Sequence, residues 1–312
     1  MPKFNPTTDL MDLKGKVVVV TGGNRGIGLE TVRQLAQRGA KVYLGARSET
    51  VASAVIQKLQ RERPESANGE VVWLPLDLSD PRLAKEAASD FLAKETRLDI
   101  LINNAGTMDH TYAKTADGVS HAVVVNYISP FVFTQTLLPL LKETATRPES
   151  DVRIINVAST VHRMVSPRFR NKEDFNVTYN WRPMAGFLRY CHSKFPIIPW
   201  TKELQRRFDA ENTLITCIAL HPGGVDTFSQ NWPLPRISTW LVRLAISPPE
   251  EGAFTTLFAA ASPQVASDKE QYKGQYLEPI GKLSKPSKLA EDPKLADELW
   301  TTTQDFLTGL GL

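Results

Sequence analysis

The sequence predicts an α/β fold: one doubly wound parallel sheet of about seven strands with helices on both faces. Two observations carry this prediction. Short β-branched runs alternate with amphipathic stretches from Lys16 to about Tyr276, and such alternation implies right-handed crossovers and a parallel sheet. The first run, residues 16–21 (KVVVVT), is apolar without alternation, as a strand covered on both faces requires.

The remaining elements follow in order. A helix is predicted over 27–38, where Ile27, Val32, Leu35 and Ala36 recur at helical spacing, and Gly39 ends it because glycine accepts the left-handed backbone common at helix termini. Six further strands are expected at 41–45, 71–76, 98–103, 152–158, 213–220 and 274–277. Helices are expected at 50–61, 82–94, 118–141, within 186–208 and near 251–261. Two segments break the rhythm. Residues 160–185 are rich in Arg, Asn and Pro, and residues 228–249 hold Pro233, Pro235, Pro248 and Pro249 between aromatic side chains. Both follow strands, so both should overhang the carboxyl edge of the sheet, where such folds bind ligands. Long inserts in compact domains are usually functional, and these two are expected to form a substrate lid on a single domain spanning 1–312.

Composition narrows the function classes. Hydrophobic residues make up 42% and charged residues 23%, the balance of a globular chain. The net charge is +3 with scattered Lys and Arg, so no basic patch calls for nucleic acid. The two cysteines, Cys191 and Cys217, do not make a disulfide framework, which fits a reducing compartment. Residues 1–11 lack the charged-then-apolar pattern of a secretion signal. No apolar run is read as approaching the ~20 residues of a transmembrane segment. The expected location is cytoplasmic.

Thr21-Gly22-Gly23-Asn24-Arg25-Gly26-Ile27-Gly28 lies directly between the first strand and the first helix. Glycines there let the backbone turn tightly and approach a pyrophosphate, whose charge the helix N-terminus favours. The spacing differs from Gly-x-Gly-x-x-Gly, yet its position after a buried strand points to a dinucleotide site on a Rossmann-type sheet. NAD-preferring sites place an acid at the end of the second strand. Here Ala46 stands at about that position and Arg47 follows. An arginine fork suits a 2′-phosphate, and Arg25 lies within the glycine turn near the same phosphate. NADP(H) is therefore the expected cofactor. Asp77, after the third strand, is expected to face the adenine, and Leu78 is counted with it among the cofactor contacts.

Tyr190-Cys191-His192-Ser193-Lys194 puts a phenol and an ammonium four residues apart, on one face of a helix. A tyrosine titrates near ~10, and a neighbouring cation favours its phenolate, drawing it toward the range useful for acid–base catalysis. With the glycine turn, this pair resembles the short-chain dehydrogenase/reductase family over nearly the whole chain. The resemblance extends to Asn103-Asn104-Ala105-Gly106 after the fourth strand, Asn126 in the next helix, Ser159 after the fifth strand, and Pro222-Gly223-Gly224-Val225-Asp226-Thr227 after the sixth.

The resemblance implies roles. Tyr190 would protonate a carbonyl oxygen or take the alcohol proton in reverse. Lys194 would bond the nicotinamide ribose and lower the Tyr190 pKa. Ser159 would hold the substrate oxygen, and Asn126 would support a water relay behind Lys194. Asn104, Ala105 and Gly106 would border the cofactor, and Pro222, Gly223, Val225 and Thr227 would contact its nicotinamide end. Tyr-Cys-His-Ser-Lys and the tail around Leu299-Trp300 are similar to retinol-dehydrogenase-like and WW-domain-oxidoreductase-like members, which points to lipophilic or aromatic carbonyls and alcohols. Family members are often dimers or tetramers, so a homodimer or homotetramer is implied.

Competing readings stand beside these. His162, His192 and His221 lack ligand spacing, and no metal is expected. Ser159, His192 and Asp226 could form a hydrolase triad, but no Gly-x-Ser-x-Gly elbow surrounds Ser159. Pro196 and Pro199 fall just beyond Lys194, where each removes a helical hydrogen bond, so a kink is expected after the Tyr–Lys pair. The expected activity is NADP(H)-dependent hydride transfer between the cofactor and an aldehyde or ketone. The alternative is a non-catalytic NADP-binding regulator of the same fold.

Overall fold

The computed structural model describes residues 4–62, 69–109, 111–223 and 249–312. The strands are β1 (Val17–Thr21), β2 (Lys41–Ala46), β3 (Glu70–Pro75), β4 (Ile100–Asn103), β5 (Val152–Val157), β6 (Ile215–Leu220), β7 (Gln275–Glu278) and β8 (Lys282–Ser284). They form one sheet in the order β3-β2-β1-β4-β5-β6-β7-β8. The first seven pair in parallel. The eighth, antiparallel to β7, corrects the expected count of seven. The strand order reverses between β1 and β4, which opens the crevice where doubly wound sheets bind ligands.

Among the described residues, the helices of eight or more residues are α1 (Gly26–Gln37), α2 (Glu49–Arg61), α3 (Pro81–Leu92), α4 (Ser129–Ala145), α5 (Ala185–Lys194), α6 (Ile197–Ala210), α7 (Phe254–Ala261) and α8 (Pro293–Gly309). Their starts follow local chemistry. Ser48 accepts from the Val51 amide ahead of α2, and Asp80 accepts from the Arg82 amide with Pro81 opening α3, the arrangement N-caps favour. Alternate residues of β1 feed two cores: Val17 and Val19 join Phe91, Phe131 and Trp200 on one face, while Val18 and Val20 join Val32, Leu257 and Ile218 on the other. That is the period-2 signature of a strand buried on both sides.

Two expectations change, and a third falls outside the described residues. The stretch His121–Ala145 is, by length and composition, apolar enough to cross a membrane, although no such run was expected; 72% of its apolar window is buried inside the protein. Its apolarity follows from its place between the sheet and α3. Residues 160–185 do not simply overhang the sheet. Phe169 and Phe175 are fully buried, the Thr302 hydroxyl donates to the Phe169 carbonyl, and 170–173 and 180–184 are the longest continuously exposed runs. The expected second lid segment, 228–249, lies outside the described residues up to 248.

The helix carrying Tyr190 and Lys194 ends at Lys194, and α6 begins at Ile197. Pro196 has no amide to extend the ladder. The chain keeps helical angles through Phe195 and Pro196, so the interruption falls just after Lys194 and leaves the Tyr–Lys turn intact. Helix α8 was not foreseen. It starts at Asp292, whose side chain accepts from the Lys294 amide, with Pro293 in its first turn. Its Trp300 ring sits 5.0 Å from Phe131 and 4.0 Å from the Arg207 guanidinium, and Thr303 bonds the Tyr127 hydroxyl at 2.8 Å.

Candidate active site

The glycine turn between β1 and α1 is built by close approach. Gly22 and Gly26 take positive φ, +65° and +55°, which side-chain-bearing residues rarely adopt. A Cβ on Gly28 would be driven against the Gly22 carbonyl and lie 2.5 Å from Asn104 Nδ2. Asn104 closes the turn from β4: its side-chain amide donates to the Thr21 carbonyl at 2.9 Å. The Thr21 hydroxyl in turn accepts from the Asn104 and Ala105 amides at 3.0 and 2.9 Å. Thr21 was missed as a site residue; its signal was the hydroxyl at the last position of an otherwise apolar strand.

Arg25 precedes α1 without forming a side-chain cap, so the first-turn N–H groups, Ile27 among them, lack an internal acceptor. Asn24 is half-buried, while Arg25 and, at the end of β2, Arg47 are exposed. Neither arginine has a hydrogen-bond or ion-pair partner among the described residues. Ala46 is buried beside Arg47, its carbonyl accepting from the Trp73 indole at 2.9 Å. Asp77 is half-buried and accepts from the Ser79 amide, and Leu78 is buried. This cradle of glycines, uncapped helix N-terminus and unpaired guanidinia fits a phosphorylated dinucleotide.

Asn126 lies in a π turn, Val124–Ile128, of the kind that often re-aims side chains at functional sites. Its Oδ1 accepts from the Thr107 amide at 2.7 Å, and its Nδ2 donates to the Thr107 carbonyl at 2.9 Å and the Ser193 hydroxyl at 2.7 Å. Ser193 donates to the Tyr190 carbonyl at 2.8 Å. Lys194 is 4% exposed, and its ammonium donates to the Val157 carbonyl at 2.9 Å. A Cβ placed on Gly106 would lie 3.1 Å from Lys194 Nζ and 3.4 Å from Asn126 Oδ1. Lys194, Asn126 and the end of β4 therefore converge on one point. Ser159 stands two residues beyond Val157, its hydroxyl accepting from the Val161 amide at 3.4 Å. Tyr190 is half-buried one turn before Lys194. Thr107 and Ser193, which join these groups, were also missed: Thr107 is held through its backbone atoms, and the Asn126–Ser193 contact spans 67 residues, so neither leaves a spacing to read.

Burial controls the charges here. It pushes the Tyr190 phenol above its ordinary value, with the Cys191 thiol adding to the effect, and it lowers Lys194 to about 8. Both causes raise the phenol, where the Lys194 neighbourhood was expected to lower it. Cys191 is fully buried and raised to about 12 by the same cause.

Pro222 and Gly223 follow β6, with Gly223 at φ +100°; Val225 and Thr227 lie outside the described residues. The histidines take bland roles. His162 Nδ1 contacts the Ser159 carbonyl at 2.6 Å while Nε2 accepts from the Ser287 amide. His192 bridges the Tyr179 hydroxyl and the Asp174 carbonyl, and burial lowers it to about 4. No cluster of three metal-ligating residues occurs among the described residues.

The geometry agrees with comparisons to known proteins. A family model described as short chain dehydrogenase matches residues 16–171. A short-chain dehydrogenase/reductase of Armillaria gallica is 44% identical over 96% of this chain and 94% of its own length. Human retinol dehydrogenase 11 is 37% identical, covering 96% and 88%. A solved short chain dehydrogenase of Burkholderia cenocepacia in complex with NADP superposes with a TM-score of 0.63 at 25% identity, over 86% of this chain and 98% of that one.

Proposed function

This chain belongs to the short-chain dehydrogenase/reductase family, and we propose that it is an NADP(H)-dependent carbonyl reductase acting on lipophilic or aromatic aldehydes and ketones. The observation that carries the reading is the convergence of Lys194 Nζ and Asn126 Oδ1 on Gly106, one helical turn from Tyr190. When bound, the nicotinamide supplies or accepts the hydride. Gly22, Gly26 and Gly28 let the backbone approach its pyrophosphate, and Arg25 and Arg47 offer forks to a 2′-phosphate. Asn104, Ala105 and Gly106, after β4, would border the nucleotide, and Pro222 and Gly223, after β6, would meet its nicotinamide end.

The chain's own proton chemistry follows from burial. With its pKa raised, Tyr190 holds its proton at neutral pH, the form that can donate to a carbonyl oxygen. Lys194, at about 8, is still mostly protonated there, and its charge favours loss of the phenolic proton at the moment of transfer. Ser159 holds the substrate oxygen by a second hydrogen bond. Asn126 fixes Ser193 and so the register of the helix carrying both groups.

The lipophilic preference rests on the rim. Phe187 lies 6.5 Å ring to ring from Tyr190, and Met184 and Trp181, in the segment just before the Tyr190 helix, are 68% and 70% exposed. The exposed part of 160–185 would form a lid over a single catalytic domain; 228–248 lie outside the described residues. Human retinol dehydrogenase 11, named for a lipophilic alcohol, supports the same class. The test is Tyr190→Phe assayed with NADPH and a panel of aliphatic and aromatic aldehydes. Turnover should vanish while NADPH binding persists, and unchanged turnover ends the proposal.

A further inference from the structure

The loop after β4 and the start of the helical stretch that leads into α4 are joined by two side-chain links that meet at Thr107. One is Asn126, whose amide bonds both backbone groups of Thr107. The other lies further out. The Thr107 hydroxyl donates to Asp109 Oδ1 at 3.2 Å, and Asp109 Oδ2 meets His121 Nδ1 at 2.8 Å. His121 opens the helical turn that passes directly into the π turn carrying Asn126. Its own amide is fixed to the Ala113 carbonyl at 2.9 Å.

We infer that Asp109 and His121 are positioning residues that brace the loop carrying Gly106 and Thr107 against the turn carrying Asn126, and through Asn126 hold the Tyr190–Lys194 helix in register. The inference rests on the activity proposed above. An isolated exposed ion pair contributes little to stability. This pair differs in its connections: one carboxylate uses both oxygens, one toward Thr107 and one toward His121, and both side chains are only partly exposed. The bracing link also runs without a break. Asp109 reaches Thr107, Thr107 reaches Asn126, and Asn126 reaches Ser193, the residue before Lys194. Asp109 and His121 act through Thr107 and Asn126 on the helix carrying Tyr190 and Lys194, so their effect should appear mainly in the turnover step.

The test combines kinetics with hydrogen–deuterium exchange on the full chain. His121→Leu and Asp109→Ser should each accelerate exchange in the peptides covering 104–109 and 121–128. They should lower kcat by about three- to tenfold while KM for NADPH moves less than about twofold, the split expected when an interaction matters in the transition state and not in ground-state binding. The double variant should lose no more than either single one, as members of one coupled link do. His121→Asn, which keeps an N–H near the Nδ1 position, should restore most of both readouts. If His121→Leu does not fold, Asp109→Ser breaks the same link from the other side. Unchanged exchange in both segments overturns the inference, and so does faster exchange with unchanged kcat. If the wild-type chain turns over no carbonyl, the exchange data still decide the brace, and only the activity reading fails.

Discussion

Gly28→Ala is the most direct perturbation of the nucleotide cradle. The new Cβ would press on the Gly22 carbonyl and sit 2.5 Å from Asn104 Nδ2, where ordinary contacts begin at 3.4 Å. Neither neighbour is free to withdraw: the Gly22 amide donates to the Gly45 carbonyl at 2.9 Å, and Asn104 Nδ2 donates to the Thr21 carbonyl at 2.9 Å. Overpacking costs about 1–3 kcal/mol, and giving up two such hydrogen bonds adds about 0.5–1.5 kcal/mol each, a total loss of about 2–6 kcal/mol. An unfolding entropy of about 2.1 cal/mol/K per residue over 312 residues gives about 0.66 kcal/mol per kelvin, so Tm should fall by about 3–9 °C. The shifted turn also misaims the first amides of α1, so NADPH affinity should drop at least about tenfold. Thermal melts read by circular dichroism and nucleotide fluorescence titration check both. A variant that melts within about 1 °C of wild type and binds NADPH equally well refutes the steric reasoning.

Further outcomes follow from the same structure. Lys194, lowered by burial to about 8, loses its proton as pH rises through that value, so NADPH-dependent reduction should decline above it. Lys194→Arg, which stays charged, should flatten that limb at a lower plateau; an unchanged limb would assign it elsewhere. Arg47→Glu should weaken NADPH binding by about 10- to 100-fold, the scale of hydrogen bonds to a charged group, with little effect on NADH; equal effects on both nucleotides would remove Arg47 from the 2′-phosphate. His192 sits at about 4 in the folded chain, against an ordinary 6.5, so the unfolded chain takes up the proton first as pH falls. Its contribution to stability is therefore lost between about pH 6.5 and 4, amounting to about 2 kcal/mol by pH 5. Urea unfolding at pH 7 and pH 5 should show that drop in wild type and a smaller one in His192→Gln.

Much of the sheet was legible because Val17–Val20 is a continuous apolar run and the other buried strands are short and rich in β-branched residues, as in Val152–Val157 and Ile215–Leu220. The edge strand Lys282–Ser284 was not, since two exposed residues and one half-buried one carry no periodicity; its pairing is set by β7. Helix α8 did carry a signal, Asp292-Pro293 followed by Leu295, Leu299 and Trp300. It was passed over because the strand–helix rhythm had already ended. The residues of the candidate site stood out in motifs, whereas the bonds that join them, through Thr107 and the Val157 carbonyl, depend on backbone positions that only the fold brings together. Charge was misjudged for a related reason. Four residues of spacing reveal the Lys194–Tyr190 neighbourhood but not the desolvation that governs both groups.

The seating of Trp300 and Thr303 on Phe131 and Tyr127 bears on biogenesis. Synthesis proceeds from the N-terminus, so while residues 293–309 are still inside the ribosome, the aromatic wall they shield has no cover. The nascent polypeptide must wait, sticky along that side, until its own late segment arrives. Early release by a premature stop codon would therefore yield a species prone to aggregation even though the nucleotide cradle had already been translated.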